Sequence, residues 1–321
     1  MDPKDVINTT SKRIATRDAY GDELVDLGRD IPQIIVIDAD IGKSCKTTEF
    51  AKTYPDKHIN VGIAEQSAAC IAAGLALCGK IPFITTYAVF GSMRMLEMLR
   101  QTACYDKLNV KIACSHGGLT PANDGASHQC VEDMGILRTL PNMTIVMGAD
   151  YYSMRKLIRA AVEYPGPVYL RMTRDPVDIL YTPDDMFKIG KAVTIRDGKD
   201  ITFIANGDMV ALALKSAREL AEDAIDARVI DMHTIKPLDE EVVEKALLET
   251  KNVITIEDHN IFCGLGSAVC EIAAYLGKGR VWRMGVQDKF GQSGPYEQLL
   301  IDNGISVHEI MVNARKMLLR T

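Results

Sequence analysis

Residues 58–85 read HINVGIAEQSAACIAAGLALCGKIPFIT, in which a helical pattern lies between two strand-like runs. The runs at 58–62 and 81–85 are short and rich in β-branched or apolar residues, as buried strands are. Residues 64–78 carry the Ala, Ser, Cys and Gly content of a helix that packs closely against a neighbour. Ile34–Asp38 upstream is another apolar, β-branched run of the parallel-strand type. Strands that alternate with helices predict an α/β fold with a mostly parallel sheet.

The same alternation continues to both sides and divides the chain into two parts. A first domain at 1–180 and a second at 191–321 are predicted, each with a mostly parallel sheet flanked by helices, and 181–190 is the predicted linker. The linker lies within 174–190, where the pattern lapses into prolines and clustered aspartates. Further strands are predicted at 110–115, 144–147, 168–172, 201–205, 227–230 and 253–256. Further helices are predicted at 91–104, 129–138, 152–163, 209–222, 240–250 and 266–275.

Length and composition exclude several classes of protein. The 321 residues favour two domains, and the 47% hydrophobic and 25% charged residues are typical of a globular chain. A net charge of −6 gives no reason to expect a nucleic-acid partner, and no run of apolar residues is long enough to cross a membrane. Residues 1–16 lack the apolar core of a secretory signal, and the eight cysteines include no Cys-x-x-Cys pair. We therefore expect a cytoplasmic protein.

A Gly-rich loop after the strand at 110–115 carries two histidines and an aspartate. It reads Ser115-His-Gly-Gly-Leu-Thr-Pro-Ala-Asn-Asp-Gly-Ala-Ser-His-Gln129 and follows a carboxyl strand end, where open α/β sheets bind ligands. His116, Asp124 and His128 could ligate a metal, transfer protons or hold a polyhydroxylated substrate. The alternative is a turn-rich loop with solvated histidines. Because no further ligand stands at a characteristic spacing, we predict no metal site.

Other polar and aromatic residues near strand ends have a structural interpretation beside the functional one. Glu65 lies where a strand leads into a helix, and the positive end of the helix dipole explains it when it is taken alone. Tyr87 and Phe90 precede a Met-rich segment and by spacing alone fit a core stripe. The cations near strand ends suit either an anionic substrate or an ordinary surface; they are Arg17, Lys43, Lys46, Arg171 and Arg174.

Five motifs in order resemble the transketolase family. They are Ala15-Thr-Arg17, Asn60-Val-Gly-Ile-Ala-Glu-Gln66, Thr86-Tyr-Ala-Val-Phe90, Asp124-Gly-x-x-His128-Gln and Leu170-Arg-Met-Thr-Arg174. Lys236-Pro-Leu-Asp239 and Gly264-Leu-Gly266 extend the resemblance into the second predicted domain. The resemblance implies a thiamine-diphosphate pyrimidine-binding (Pyr) domain followed by the transketolase C-terminal domain.

The resemblance also implies that this chain binds the pyrimidine side of thiamine diphosphate. Glu65 would hydrogen-bond a ring nitrogen of the aminopyrimidine and favour its imino tautomer, so that the cofactor's own amino group makes the thiazolium ylid. Tyr87 and Phe90 would form the apolar wall around this ring. Asp40 matches an acidic residue that lies near the cofactor in the family.

A sugar-phosphate site is implied on the same edge. Asp124 and His128 would bind hydroxyls of the donor ketose and are, with Glu65, the predicted catalytic residues. Arginine suits the phosphate end because its planar fork can engage two oxygens. The residues expected to face the phosphate are Arg17, Ser44, His116 and Arg174.

The resemblance covers only part of a full-length transketolase. The Gly-Asp-Gly motif, through which an additional N-terminal domain holds the diphosphate by way of Mg²⁺, is absent from the 321 residues. The resemblance therefore implies a separate N-terminal subunit that provides most of the Mg²⁺ site. It also implies a heterotetramer with two chains of each kind. The implied reaction is the reversible transfer of a two-carbon ketol (glycolaldehyde) unit from a ketose phosphate to an aldose phosphate, as in the pentose phosphate pathway. Met93 and the loop at 42–46 depart from the family pattern and leave the acceptor sugar open.

Three alternatives share parts of this pattern. The β subunit of a 2-oxo-acid dehydrogenase's decarboxylating component shares the Glu65 motif, but Asp124-Gly-Ala-Ser-His128 favours a sugar-binding enzyme. One half of a deoxyxylulose-phosphate synthase would use pyruvate as donor. A non-catalytic assembly subunit would keep only the fold, and the presence of Glu65, Asp124 and His128 together argues against it.

Overall fold

Two sheets flanked by helices make up the computed structural model, which describes residues 13–319. The strands are β1 (Ile34–Asp38), β2 (His58–Asn60), β3 (Ile81–Tyr87), β4 (Lys111–Ser115), β5 (Thr144–Val146), β6 (Val168–Arg171), β7 (Val193–Arg196), β8 (Ile201–Ala205), β9 (Ala227–Asp231), β10 (Thr234–Lys236), β11 (Asn252–Asn260) and β12 (Arg280–Val286). The helices are α1 (Thr16–Asp30), α2 (Gly42–Cys45), α3 (Thr48–Thr53), α4 (Glu65–Leu77), α5 (Leu96–Leu99), α6 (Asp133–Arg138), α7 (Tyr151–Glu163), α8 (Met209–Glu222), α9 (Glu240–Glu249), α10 (Leu265–Leu276), α11 (Tyr296–Asp302) and α12 (Val307–Leu318). No helix within these residues is long and apolar enough to cross a membrane.

The first sheet is parallel apart from one edge strand. Its strand order is β10-β5-β6-β4-β3-β1-β2, and only β10 runs antiparallel to its neighbour. β1, β4 and β6 are buried along their whole length, which explains why their central residues are apolar or weakly polar, while Lys111 and Arg171 are buried charges at strand ends.

The second sheet has the order β12-β11-β8-β9-β7 and is parallel except for the edge strand β7. Helix α8 lies against β8 and β9, and α10 packs against β11 and β12. The predicted fold class, two mostly parallel sheets flanked by helices, is confirmed.

The two parts of the chain are joined by more than a linker. β10 comes from the C-terminal part but pairs with β5 at the edge of the first sheet. One hydrophobic cluster contains Met134 and Ile145 together with Ile204 and Met232 from the other part of the chain. The predicted linker itself is packed, since the ring of Tyr181 is buried and donates its hydroxyl proton to Asp231. The domain bounds stay a prediction.

The helix predicted at 91–104 is not regular. Two π turns, Phe90–Arg94 and Arg100–Cys104, flank the short α5. Gly91 lies so close to β4 that an added Cβ would come within 2.3 Å of Cys114 Sγ, which fixes where this segment meets the sheet.

The helix predicted at 129–138 begins only at Asp133. Cys130 is held in an isolated antiparallel bridge with Gly118, through N–H···O bonds of 2.7 and 3.0 Å. Because this bridge keeps residue 130 extended, the helical turn cannot begin before it. The sequence prediction missed the bridge because the two residues lie on opposite sides of a loop.

Candidate active site

The carboxyl ends of adjacent parallel strands bring the predicted site residues to one edge of the first sheet. β1, β2, β3, β4 and β6 end at Asp38, Asn60, Tyr87, Ser115 and Arg171 respectively. The loops that follow these strands carry the predicted residues, and this edge is where open α/β sheets bind ligands.

Glu65 is the first residue of α4 and is only 1% exposed. The chain turns into this helix through Gly62, whose φ of +71° is a conformation that favours glycine. Arg94 Nη1 donates to Glu65 Oε2 at 2.7 Å, and the Arg94 side chain is 42% exposed. A buried carboxylate is thus held at the helix start and paired with a half-exposed arginine.

Tyr87 lies at the centre of a cluster of rings. Its ring stacks on Phe90 with centroids 5.8 Å apart and planes 29° apart. It also contacts His116 at 3.9 Å and, edge to face, His128 at 5.9 Å. The guanidinium of Arg94 lies 4.5 Å from the Phe90 centroid. Tyr87 and Phe90 therefore contact site residues rather than only the core.

His116 is a buried, neutral imidazole. Its backbone has φ +66°, which is uncommon for a residue with a side chain and is found at functional sites. Nδ1 lies 2.7 Å from Ser115 Oγ. Burial, helped by the nearby charges of Arg17, Arg174 and His128, lowers the pKa of His116 to about 3. At neutral pH the ring can therefore take part in hydrogen bonds without carrying a charge.

Two arginines lie beside this histidine. Arg17 Nη1 donates to the Ser44 carbonyl oxygen at 3.0 Å, while its buried Nε has no hydrogen-bond partner. Arg174 Nε lies 3.4 Å from Asp124 Oδ2. A buried guanidinium N–H without an acceptor fits an anionic ligand, because leaving it unpaired is unfavourable. The Ser44 backbone thus holds Arg17, and the predicted contact of Ser44 with a phosphate stays a prediction.

The C-terminal part of the chain fixes the loop at 116–129. The Leu119 N–H donates to both oxygens of Asp258, at 3.0 and 2.9 Å. Tyr296 donates to the same carboxylate at 3.1 Å, and Gln129 Nε2 donates to the Gln292 carbonyl at 2.9 Å. Burial raises the pKa of Asp258 to about 7. The loop that carries His116, Asp124 and His128 is therefore positioned by the other sheet.

The residues at this edge fit an aminopyrimidine, and the described residues offer no cluster of metal ligands beside it. Glu65 offers a carboxylate to a ring nitrogen, and Phe90 offers a flat apolar face. Within residues 13–319 no group of three or more His, Cys, Asp or Glu side chains could hold a metal ion. Asp40 is exposed and accepts a bond from Asn60 Nδ2 at 2.9 Å, and no hydrogen bond or ring contact in the described chain joins it to Tyr87 or Phe90. Its place near the cofactor stays a prediction, as do the other assigned roles.

Sequence reasoning missed Arg94 and Asp258. Arg94 stands four residues after Phe90, the spacing of neighbours on a helix, so a cation on this face could have been noticed. Asp258 acts across 139 positions of sequence, and no local pattern indicates that contact.

Comparisons with known proteins agree with this geometry. Residues 12–178 match the family model described as transketolase, pyrimidine binding domain, and residues 190–310 match transketolase, C-terminal domain. The chain is 42% identical over 297 residues to a putative transketolase C-terminal section of Methanocaldococcus jannaschii, with 92% of this chain and 93% of the relative covered. It is 36% identical over 301 residues to a 6-deoxy-6-sulfo-D-fructose transketolase subunit of a Clostridium species, with 94% of each covered.

A solved structure is similar over nearly its whole length. It is a split-gene transketolase described as an inactive beta4 tetramer, with 43% identity, a TM-score of 0.89 and coverage of 95% of this chain and 99% of that one. Together with the two family models, these relatives show that the chain belongs to the transketolase family, as a C-terminal section of the split type.

Proposed function

We propose that this chain is the C-terminal subunit of a thiamine-diphosphate-dependent transketolase that moves a two-carbon ketol unit from a ketose phosphate to an aldose phosphate. The observation that carries the proposal is that buried Glu65 is linked through Arg94 to the Tyr87–Phe90 ring pair, at the edge that also holds His116 and Arg17. The carboxylate that would contact the cofactor thus lies beside the polar, cationic site that would bind the substrate.

The chain's own residues have distinct tasks in this reaction. The cofactor, when bound, supplies the carbanion chemistry. Glu65 holds a proton at the pyrimidine nitrogen, and the ring pair excludes water from that face. Asp124 and His128 orient the hydroxyls of the donor, and Arg174 keeps Asp124 in place at 3.4 Å.

The anionic end of the sugar meets arginines. The unpaired Nε of Arg17 supports an oxyanion ligand, and neutral His116 can add a hydrogen bond without a second charge. One relative acts on a sugar with a sulfonate terminus. Phosphate and sulfonate each present three terminal oxygens that carry negative charge. For this chain we propose phosphate.

A second subunit completes the site in this proposal. Ile63 and Met93 flank Glu65 and Arg94 in sequence and are 77% and 41% exposed. Their exposure beside the site is compatible with a surface that a partner covers. The absence of Gly-Asp-Gly supports a partner that brings the diphosphate and Mg²⁺ site, in a heterotetramer. The eight unpaired cysteines suit a reducing, cytoplasmic location.

The test is recovery of the tagged chain from its source cells, followed by mass, cofactor and activity measurements. We expect a second polypeptide, bound thiamine diphosphate and Mg²⁺, and ketol transfer between sugar phosphates that the chain alone does not catalyse. Pyruvate as donor would instead indicate a deoxyxylulose-phosphate synthase, and activity on 2-oxo acids with a lipoyl partner would indicate a dehydrogenase subunit. Full transfer activity by the chain alone would overturn the split-enzyme proposal.

A further inference from the structure

The guanidinium of Arg94 joins the two groups that would hold the pyrimidine ring. Its Nη1 donates to Glu65 Oε2 at 2.7 Å, and its central carbon lies 4.5 Å from the centroid of Phe90. Glu65 is buried, whereas the Arg94 side chain is 42% exposed. The carboxylate is therefore covered by a side chain that has solvent on its other side.

A guanidinium and a protonated aminopyrimidine present similar chemistry to these residues. Each is a planar, delocalised group that directs an N–H at a carboxylate and stacks on an aromatic ring. The face of Phe90 that carries Arg94 cannot carry a second planar group at the same time. Arg94 thus occupies the carboxylate oxygen and the ring face that the cofactor would use.

We propose that Arg94 competes with the aminopyrimidine of thiamine diphosphate for Glu65 and Phe90, so that Arg94 must leave this position when the cofactor binds. The inference rests on the proposed function, since it assumes that this edge receives the cofactor. When a binding site is free in only a fraction of molecules, the apparent affinity falls by that fraction. Arg94 therefore sets the cofactor affinity of the subunit without touching the substrate.

The surroundings of Arg94 allow it to move. Arg94 is the last residue of the π turn at Phe90–Arg94, and the Met95 N–H bonds back to the Phe90 carbonyl at 3.2 Å. Because the Arg94 side chain is 42% exposed in this chain, it can leave Glu65 without entering the hydrophobic core. When Arg94 leaves, Glu65 Oε2 can accept a hydrogen bond from the ring nitrogen instead. The cofactor thus replaces the partner that the carboxylate loses.

The experiment measures thiamine diphosphate binding, by calorimetry and by near-ultraviolet circular dichroism, to the chain assembled with its N-terminal subunit. Arg94→Met keeps the apolar stem and removes the guanidinium, and Arg94→Lys keeps the charge but not the plane. The matched control is Arg100→Met, since Arg100 is exposed six residues further along the same segment. We expect Arg94→Met to lower the dissociation constant about tenfold and to speed association, with Arg94→Lys between it and wild type and Arg100→Met unchanged.

A double-mutant cycle with Glu65→Gln separates competition from a general effect on the fold. If Arg94 acts by occupying Glu65, Arg94→Met should tighten binding much less in the Glu65→Gln background. Unchanged or weaker binding by Arg94→Met, in a complex whose wild type binds the cofactor, would overturn this inference alone. If neither wild type nor Arg94→Met takes up the cofactor, the proposed function fails with it.

Discussion

At the scale of single residues, burial decides what Glu65 can do. A carboxylate that is 1% exposed and lies at a helix start is desolvated, and within residues 13–319 its ion pair is with the half-exposed Arg94. Such a group can hold a proton at a ligand nitrogen without competition from water.

We expect Glu65→Gln to lower kcat of the assembled enzyme at least about a hundredfold, because the proton at the ring nitrogen loses its carboxylate. The subunits should still assemble, since glutamine has nearly the same volume. Glu97→Gln is the matched control, because Glu97 is exposed on a neighbouring helix. The measurements are kcat and native mass; turnover near the wild-type value would refute the role given to Glu65.

The unpaired Nε of Arg17 gives a second residue-scale prediction. Arg17→Met should raise KM for a phosphorylated donor about ten- to a hundredfold, because one charge-assisted contact is lost. KM for the same sugar without phosphate should change little. Arg29→Met, at the far end of α1, is the control, since its ion pairs with Asp26 and Asp30 lie in exposed surroundings. Equal loss for both sugars would show that Arg17 does not bind the phosphate.

At the scale of elements, local patterns found most of the strands but missed β7, β10 and β12. They also missed the helices α1, α2, α3, α11 and α12 and the interruptions of the helices that they did find. The run at 209–222 was predicted with its observed bounds, because its apolar periodicity is local. The late start of α6 follows from the bridge to Gly118, and Gly91 meets Cys114; both partners lie elsewhere in the chain. Likewise, motif residues on loops could be named from sequence, whereas the contact of Asp258 with Leu119 could not.

Strand β4 begins with a buried cation that makes stability depend on pH. Lys111 Nζ donates to the carbonyls of Tyr164 and Gly166 at 2.8 and 2.9 Å, and burial lowers its pKa from 10.5 to about 7. Between these values the unfolded chain binds the proton and the folded chain releases it. The stability gained from a neutral Lys111 is therefore fully present above pH 10.5. It decreases as the pH falls from 10.5 and is lost once the pH has fallen through 7.

We expect the free energy of unfolding of wild type, relative to Lys111→Met, to rise by on the order of 2 kcal/mol between pH 7 and 9.5. The difference between the two proteins removes the titration of every other group they share. Urea midpoints at the two pH values give the measurement, and Lys80→Met, at an exposed lysine, provides the control. A difference that stays constant or falls with pH would show that Lys111 is charged throughout the range.

At the scale of the whole molecule, the two sheets depend on each other. β10 closes the first sheet, and the shared cluster brings Met134 and Ile145 against Ile204 and Met232. A prediction of two separate consecutive domains misses this dependence, because strand pairing across the boundary leaves no periodic signal in either part.

A fragment of residues 1–190 should therefore not fold alone, because it leaves the β5 edge unpaired and exposes the apolar side chains that Ile204 and Met232 cover. The full chain should unfold in a single cooperative transition. A matched control inserts a protease site at the exposed residues 182–184 and cleaves the folded protein, which keeps both parts present. The nicked chain should retain one calorimetric transition and native circular dichroism, whereas the fragment should aggregate or show no transition. If the fragment unfolded cooperatively by itself, β10 would be an accessory strand and the two parts would be independent folding units.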